Sequence, residues 1–524
     1  MREKGEQSEV IDFLSDARSY GAAGAVEQIT THCSIVFLVG ERAYKLKRAV
    51  RFSYLDYSTV ALREKFCRAE LALNRRTAPE LYLAVRAVTR RTDCGLAFDG
   101  EGPVVDWVLE MRRFDQATLF DRLAEAHRLT PALMRDLADR IAAFHRGAAI
   151  VGDRGGRAQI ATTIATNDDN LRLAAPPFDR GMIDQLRALS TARLDALGNL
   201  LDDRRDRGLV RRCHGDLHLR NICLFEGRPT LFDGIEFNDD FAAIDVLYDL
   251  AFLLMDLLHR RLEDRASLVF NRYLDRSGDV AGLPAMPLFL SARAAVRAHV
   301  LGTLLRSDAN AANYGETAEA ARSYLALALA LLQPHAPRLI AVGGLSGSGK
   351  STVAQALAPG LRPAPGARVI RSDTLRKRLL GVDPETRLPR ESYNLAASER
   401  VYAALLAEAK TALGAGYCVV ADATFLRDEE RQAIAAVARA GGAPITGLWL
   451  EAPSEALAQR LAARRGDASD ADRAVLEKQL GIATGAIEWE RVDASKDAAE
   501  TIAAAQRISA RERPGPSSSS AACA

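Results

Sequence analysis

Residues 344–351 read Gly-Leu-Ser-Gly-Ser-Gly-Lys-Ser, and this stretch decides the fold of the second half of the chain. It follows the apolar run at 339–342 and precedes a segment of helical character that begins near Thr352. Glycines let successive backbone N–H groups point inward, and the helix start adds the positive end of its dipole. This GxxxxGK[ST] (Walker A) pattern predicts a loop that binds polyphosphate. The residues expected there are Gly344, Leu345, Ser346, Gly347, Ser348, Gly349, Lys350, Ser351 and Thr352.

Four polar residues around this loop predict phosphoryl-transfer chemistry. Lys350 is expected to neutralise charge on the β- and γ-phosphates, and the Ser351 hydroxyl is expected to ligate Mg²⁺. Asp422 ends the apolar run YCVVAD and Asp373 ends ARVIRSD. Asp422 is predicted to bind magnesium, and Asp373 to take the proton of an attacking hydroxyl. The alternative for both aspartates is a helix N-cap, because a helix is expected to follow each of them.

Short β-like runs alternate with helical stretches around these motifs, as in RLIAVGG, ARVIRSD, YCVVAD and PITGLWLEAP, which predicts a parallel α/β sheet. Arg460, Arg464 and Arg465 end a helical segment before GDASDAD. They would close over the transferring phosphoryl group, or else form a solvated basic helix end.

The second half resembles the AAA-type P-loop kinases close to gluconate kinase, chloramphenicol phosphotransferase and the zeta toxins. The resemblance rests on GLSGSGKS, RSDTLRKRLLG, VVADATF and RLAARRGDASDA, and it covers about 338–510. It implies that Asp373 and Arg376 face the acceptor, and that Arg460 and Arg464 belong to a lid.

A second motif lies in the first half, where residues 214–221 read His-Gly-Asp-Leu-His-Leu-Arg-Asn. Asp216 and Asn221 are five residues apart, the spacing of a kinase catalytic loop. Asp216 would take the proton of an acceptor hydroxyl, and the Asn221 amide oxygen would ligate Mg²⁺. Asp233, in LFDGIEF, is predicted to be a second metal ligand; its alternative is a turn residue before Gly234.

The phosphate-binding lysine of this half is expected on an N-terminal strand. The segment CSIVFLVGERAYKLK (33–47) reads as a hairpin, and Lys45 and Lys47 alternate with apolar residues so that both point to one face. We predict Lys45, with Lys47 as the alternative. Glu70, in the helical segment 59–76, is expected to pair with that lysine, although a helical Glu is often simply solvated.

The first half as a whole resembles the aminoglycoside phosphotransferase family, whose fold is similar to that of protein kinases. The resemblance is carried over about 30–330 by HGDLHLRN, FDGIEFNDD, IDVLYDLAFLLMDL and the lysine strand. It implies that Asp216 is the base, that Asn221 and Asp233 bind magnesium, and that Asp249 supports the loop. No GxGxxG loop is present, so the turn at Gly40 would have to cover the phosphates.

These resemblances set the expected fold class, α/β and α+β. A protein-kinase-like bilobal domain is expected at 1–335, before the proline-containing segment PHAPR, and a P-loop NTPase domain with a parallel sheet at 336–510. Residues 511–524 are Pro/Ser-rich and are expected to form a disordered tail.

The composition excludes several classes of protein. The 524 residues include 70 Lys and Arg against 68 Asp and Glu, and this net charge of +2 argues against nucleic acid or anionic membrane as a partner. Seven cysteines without a CxxC pair argue against a disulfide scaffold or a zinc cluster. The first ten residues lack the apolar core of a signal peptide, and no uncharged apolar run approaches the ~18 residues that span a bilayer. We therefore expect a cytoplasmic protein.

Together the motifs predict an ATP- and Mg²⁺-dependent phosphotransferase with two nucleotide sites, acting on a hydroxyl of a small molecule. Two alternatives remain open. One is a nucleotide-sensing regulatory ATPase, and the other is a zeta-like kinase of an activated sugar that is regulated by the N-terminal half.

Overall fold

The computed structural model describes residues 7–52, 55–174, 177–307, 313–463 and 468–511. Contacts divide the chain into two compact units. The first unit consists of Met1–Thr162 and Gly198–Asp256, and the second consists of Thr163–Leu197 and Leu257–Ala524. The second unit includes helices that precede the segment at 334–338, whereas the domain boundaries at 335 and 510 stay predictions. Of the tail expected at 511–524, only Arg511 lies within the described residues.

The first unit begins with an antiparallel sheet and two helices. In chain order the elements are α1 (Ser8–Ser15), β1 (Glu27–Thr30), β2 (Ser34–Val39), β3 (Arg42–Lys47), β4 (Arg51–Phe52), β5 (Leu55–Asp56), α2 (Val60–Asn74), β6 (Tyr82–Arg90), β7 (Leu96–Phe98) and β8 (Val104–Arg112). Six strands form one sheet in the order β1-β2-β3-β8-β6-β7. The predicted hairpin is confirmed as β2 and β3, and Gly40 in its turn has a φ of +53°. That this turn covers phosphates stays a prediction.

Helix α2 packs on β6 and β8 with a face that is largely polar. Its buried positions are Arg63, Cys67, Glu70, Leu73 and Asn74. Apolar residues recur at helical spacing in this segment as Leu62, Phe66, Ala69 and Leu73, which predicts an apolar face, but of these only Leu73 is buried. The difference arises because Arg63 Nε donates to Asp106 Oδ1 at 2.7 Å, and both side chains are almost fully buried. A charge that is paired in this way can occupy an interior position.

Helices and short strand pairs follow the sheet. They are α3 (Phe120–Glu125), α4 (Pro131–Gly147), α5 (Gly156–Leu173), α6 (Arg180–Asp206), β9 (Val210–Arg212), β10 (Ile222–Phe225), β11 (Arg228–Leu231), α7 (Asp239–Ala242), β12 (Ala243–Asp245) and α8 (Val246–His259). β10 pairs with β11 and β9 pairs with β12, both antiparallel. Asp249 and Asp256 are buried polar residues on the otherwise apolar helix α8. This position lets them reach the loop between β9 and β10.

The next three helices are α9 (Glu263–Ser277), α10 (Met286–Ser307) and α11 (Tyr314–Leu331). The helical stretch Val280–Arg306, which includes most of α10, is long and apolar enough to cross a membrane by length and composition. In that stretch, 61% of the most apolar window is buried inside the protein. Burial to this extent is also found in core helices.

The rest of the second unit alternates strands and helices. The elements are β13 (Leu339–Gly344), α12 (Lys350–Leu357), β14 (Arg368–Arg371), α13 (Ser372–Leu379), α14 (Leu395–Gly414), β15 (Val419–Asp422), α15 (Asp428–Ala440), β16 (Ile445–Glu451), α16 (Ser454–Ala463), α17 (Arg473–Leu480), β17 (Glu490–Asp493) and α18 (Ala498–Ser509). The strands form a parallel sheet in the order β14-β15-β13-β16-β17. Its core includes Ile340, Val342, Val420 and Leu448, all fully buried. The predicted parallel α/β sheet is therefore confirmed.

Helix α9 covers the edge strand β14 of this sheet. Asn271 Nδ2 donates to Ala367 O at 3.0 Å, and Asn271 Oδ1 accepts from Val369 N at 2.8 Å. One side-chain amide thus satisfies a donor and an acceptor of the strand, as a neighbouring strand would. Between these two bonds, the buried Arg368 Nη2 pairs with Asp275 Oδ1 at 2.5 Å and with Glu408 Oε1 at 2.7 Å. The edge is closed by a helix that lies before residue 335.

Candidate active sites

The loop at 214–221 is fixed by a buried carboxylate on α8. Asp249 accepts hydrogen bonds from His214 N at 3.1 Å and from Gly215 N at 2.9 Å. His145 Nε2 lies 3.0 Å from Asp249 Oδ2. Burial lowers the pKa of His214 and so favours its neutral ring, and its Nε2 lies 2.9 Å from Phe232 O. These contacts set the backbone of the loop.

The loop brings the expected base and one expected metal ligand into direct contact. Asn221 Nδ2 donates to Asp216 Oδ2 at 2.8 Å and to Asp216 O at 3.0 Å. Since the amide nitrogen makes both bonds, the amide oxygen of Asn221 is the atom that remains for Mg²⁺, which prefers such oxygens. His218 Nε2 lies 3.3 Å from Asp216 Oδ2, and its ring meets Phe252 edge-on at 5.3 Å. His218 therefore helps to orient Asp216.

Lys45, on β3, joins three distant parts of the chain. Its Nζ lies 2.8 Å from Glu70 Oε1 on α2 and 2.6 Å from Asp233 Oδ1. Asp233 has a φ of +60°, in the left-handed region that non-glycine residues seldom adopt. Burial alone would lower the pKa of Lys45, but the carboxylates of Asp233 and Glu70 outweigh it and raise that pKa. The structure thus holds a charged lysine beside an expected metal ligand.

Lys47, on the same face of β3 as Lys45, is the more deeply buried of the two lysines. Lys47 Nζ is 2.6 Å from Glu70 Oε2 and 2.5 Å from Glu236 Oε1. Tyr57 OH donates to Glu236 Oε1 at 2.7 Å, and burial raises the pKa of Glu236. Glu70 therefore receives one lysine on each carboxylate oxygen. The sequence left Lys47 as the alternative to Lys45, and the structure places both on Glu70.

Glu236 was missed by the sequence analysis. Its partner Lys47 is 189 residues away, so no local spacing connects the two. The available signal was its position three residues after Asp233 in FDGIEF.

The phosphate-loop motif joins β13 to α12, as predicted, although α12 already begins at Lys350. Gly347 has a φ of +87°, and a Cβ on it would lie 2.8 Å from Leu457 O, so only glycine fits there. Lys350 Nζ donates to Leu345 O at 2.9 Å. Within the described residues, the buried Ser348 Oγ has no hydrogen-bond partner. Because buried hydroxyls are normally paired, this atom suits a phosphate oxygen.

The two expected metal ligands of this half are in contact. Ser351 Oγ donates to Asp422 Oδ2 at 2.6 Å, which places a hydroxyl and a carboxylate oxygen together at the start of α12. Both are hard oxygen ligands and fit Mg²⁺. Arg371, at the end of β14, donates from Nη2 to Ser351 Oγ at 3.0 Å, and its Nε lies 3.4 Å from Asp422 Oδ2. No sequence motif indicated a role for Arg371.

Gln479 was also missed, although it contacts the phosphate loop directly. Ser346 N donates to Gln479 Oε1 at 2.9 Å, and Gln479 Nε2 donates to Ser346 Oγ at 3.0 Å. Gln479 lies on α17, 133 residues beyond Ser346, so the sequence carried no local signal for this contact.

The residues expected to face an acceptor lie on α13. Burial raises the pKa of Asp373, which accepts a hydrogen bond from Ser469. Arg376, one turn later, donates from Nη1 to Ser392 O at 2.9 Å, and its guanidinium lies 4.7 Å from the centre of the Tyr393 ring. Asp373 and Arg376 are three residues apart and share one face of the helix.

The expected lid arginines are not brought to the phosphate loop by any described contact. Arg460 Nη2 donates to Lys496 O at 3.2 Å. Arg464 and Arg465 lie outside the described residues. A lid role for Arg460 and Arg464 stays a prediction.

Comparison with known proteins finds relatives that match nearly the whole chain and solved structures that are similar to parts of it. Over 508 residues the chain is 28% identical to Uncharacterized protein Rv2004c of Mycobacterium tuberculosis. The alignment covers 95% of this chain and 98% of that protein. A gluconokinase from Sinorhizobium meliloti is 24% identical in structural alignment, covers 33% of this chain and 91% of its own, and has a TM-score of 0.25. A choline/ethanolamine kinase family protein from Mesorhizobium loti is 14% identical, covers 62% of this chain and 99% of its own, and has a TM-score of 0.38. A family model described as "AAA domain" matches residues 339–484, the segment that contains the phosphate loop.

Proposed function

We propose that this chain is an ATP- and Mg²⁺-dependent phosphotransferase with two nucleotide sites, each passing the γ-phosphoryl group to a hydroxyl of a small molecule. The observation that carries the proposal is the convergence of Lys45, Glu70 and Asp233 from three separate segments, with Nζ–O distances of 2.8 and 2.6 Å. A buried lysine clamped by a helical Glu beside a metal-binding Asp is the arrangement that kinases use at the triphosphate.

In the first site, Asp216 orients the acceptor hydroxyl and takes its proton as the oxygen attacks. Asn221 and Asp233 would hold Mg²⁺, which, when bound, offsets the negative charge of the phosphates. Lys45 adds a fixed positive charge at the same place. The buried Asp249 keeps Asp216 in position through the backbone of the loop.

In the second site, the loop N–H groups and Lys350 bind the triphosphate, and Ser351 with Asp422 would hold Mg²⁺. The acceptor oxygen forms a bond to the γ-phosphorus while the bond from that phosphorus to the β–γ bridging oxygen breaks. ADP leaves with the electron pair, and the hydroxyl proton passes to Asp373. Its raised pKa makes this carboxylate a better proton acceptor than an exposed aspartate.

The proposal is tested on the full-length chain by calorimetric titration with ATP and Mg²⁺, followed by an ATP-consumption screen of sugars, nucleosides, antibiotics and small alcohols. We expect two binding events. Lys350→Met should remove one of them, while Asp216→Asn should keep both and lose acceptor-stimulated turnover at the first site. Lys410→Met, an exposed lysine on α14, is the matched control and should behave as wild type. Absence of ATP binding, or binding without turnover on any acceptor, would contradict the proposal; the second result would favour a nucleotide sensor.

A further inference from the structure

One peptide group of the phosphate loop is held at both of its polar ends. The carbonyl of Leu345 accepts from Lys350 Nζ at 2.9 Å, and the N–H of Ser346 donates to Gln479 Oε1 at 2.9 Å. These two atoms belong to the same planar, trans peptide unit, in which C=O and N–H point in opposite directions. Rotation of that peptide therefore breaks both contacts together.

The second partner comes from a helix that is docked on the loop by apolar packing. Leu476 on α17 and Leu457 and Leu461 on α16 form a buried cluster against Leu345. Gln479 follows Leu476 by three residues, which places both on the same face of α17. Gln479 Nε2 also donates to Ser346 Oγ at 3.0 Å. This bond orients the side-chain amide of Gln479 so that its oxygen faces the N–H of Ser346. The glutamine is the polar part of the contact between α17 and the loop.

We propose that Gln479 is a positioning residue for Lys350. By holding the Leu345–Ser346 peptide in one orientation, it fixes the carbonyl that receives the lysine ammonium, so the placement of Lys350 depends on α17 being docked. The proposal rests on the function proposed above for this site, where Lys350 neutralises the β- and γ-phosphates. Undocking of α17 lets the peptide rotate and moves this carbonyl away from the lysine ammonium.

The reactivity of Lys350 tests this directly in the full-length protein. Competitive acetylation followed by mass spectrometry measures a rate for each lysine. A lysine that is bound to a carbonyl reacts slowly, so we expect Gln479→Ala to raise the Lys350 rate about 5- to 10-fold, as expected for losing roughly one neutral hydrogen bond. Lys377, which is buried and paired with Asp470 at 3.2 Å in the same unit, reports on general loosening and should keep its rate.

Three further variants separate positioning from a purely structural role. Gln479→Asn, one methylene shorter, should behave like Gln479→Ala, and it replaces that variant if the latter is unstable. Ser346→Ala removes the hydroxyl but keeps the N–H bond, so the Lys350 rate should rise by less than about 3-fold. Glu477→Ala, an exposed neighbour on α17 whose partner is Arg473, should leave the rate unchanged.

A nucleotide titration then connects placement with binding. Gln479→Ala should weaken ATP binding about 10-fold at the binding event that Lys350→Met removes, while the other event is unaffected. An unchanged Lys350 acetylation rate in Gln479→Ala overturns the inference, as does an equal rise at Lys377. If no ATP binds to any variant, the proposed function fails, while the acetylation rates still decide whether Gln479 positions the lysine.

Discussion

Replacing Glu70 by glutamine removes one buried charge and leaves the side-chain volume nearly unchanged. Glu70 is fully buried, and it receives Lys45 Nζ at 2.8 Å and Lys47 Nζ at 2.6 Å. We expect Glu70→Gln to lower the unfolding free energy of the first unit by about 3 kcal/mol at pH 7, because two buried ammonium groups lose the carboxylate that they share.

The magnitude follows from the pKa of Glu70 and from the cost of breaking a buried ion pair. Burial opposes ionisation of Glu70, but the charges of Lys45 and Lys47 outweigh it and lower the pKa from 4.5 to about 2. At about 1.4 kcal/mol per pKa unit, the shift corresponds to about 3 kcal/mol. Because the pKa is lower in the folded state, this contribution is complete above the unfolded pKa and is lost as the pH falls through the folded one. Removing one partner of a buried ion pair costs about 3–5 kcal/mol, and the lower end applies because Asp233 and Glu236 remain.

Hydrogen exchange of the full-length chain, read by mass spectrometry, measures this loss locally. Amides of β2 and β3 should lose protection by roughly 100-fold in Glu70→Gln, since 1.4 kcal/mol corresponds to a factor of 10. Amides of β13 in the second unit serve as the internal reference. Glu64→Gln is the matched control, because Glu64 lies on the same helix and forms an exposed pair with Arg68 at 2.9 Å. It should cost less than about 0.5 kcal/mol. Equal protection in the two variants would refute the reasoning about the shared carboxylate.

Three further predictions concern the second unit. The kcat/KM of the phosphate-loop site should fall as the pH decreases through a pKa above 3.8. The reason is that Asp373 acts as the base only when deprotonated, and burial raises its pKa. A pH–rate profile in which Asp373→Asn keeps the same acid limb would contradict this role. Asn271→Ala should lower the unfolding free energy of this unit by about 1–3 kcal/mol, because Val369 N–H and Ala367 C=O lose their partner. Calorimetry measures the change. An unchanged melting temperature would show that other groups form hydrogen bonds with the edge strand. Ser351→Ala should weaken the Mg²⁺ dependence of ATP binding at one of the two events, and identical Mg²⁺ titrations of variant and wild type would exclude Ser351 as a ligand.

The sequence by itself determined the elements whose residues are close together in the chain. The phosphate loop at 344–351, the hairpin ending in Lys45 and Lys47, and the five-residue spacing of Asp216 and Asn221 all show their geometry within a few residues. Glycine content, period-2 alternation and fixed loop spacing are local rules, and a local stretch is enough to apply them. The strand–helix alternation after residue 338 predicted a parallel sheet for the same reason.

Only the tertiary structure decided which side chains satisfy one another across long separations. It showed that Glu70 serves two lysines, that Glu236 completes the buried cluster, and that Asn271 closes the edge of a strand almost a hundred residues later. It also buried Arg63, Glu70 and Asn74 of α2 beside Cys67 and Leu73. A buried charge or an open strand edge costs free energy unless a partner is present, and that partner lies at no fixed sequence distance. Contacts such as that of Gln479 with Ser346 therefore follow from the packing of whole helices and strands, which no short stretch of sequence specifies.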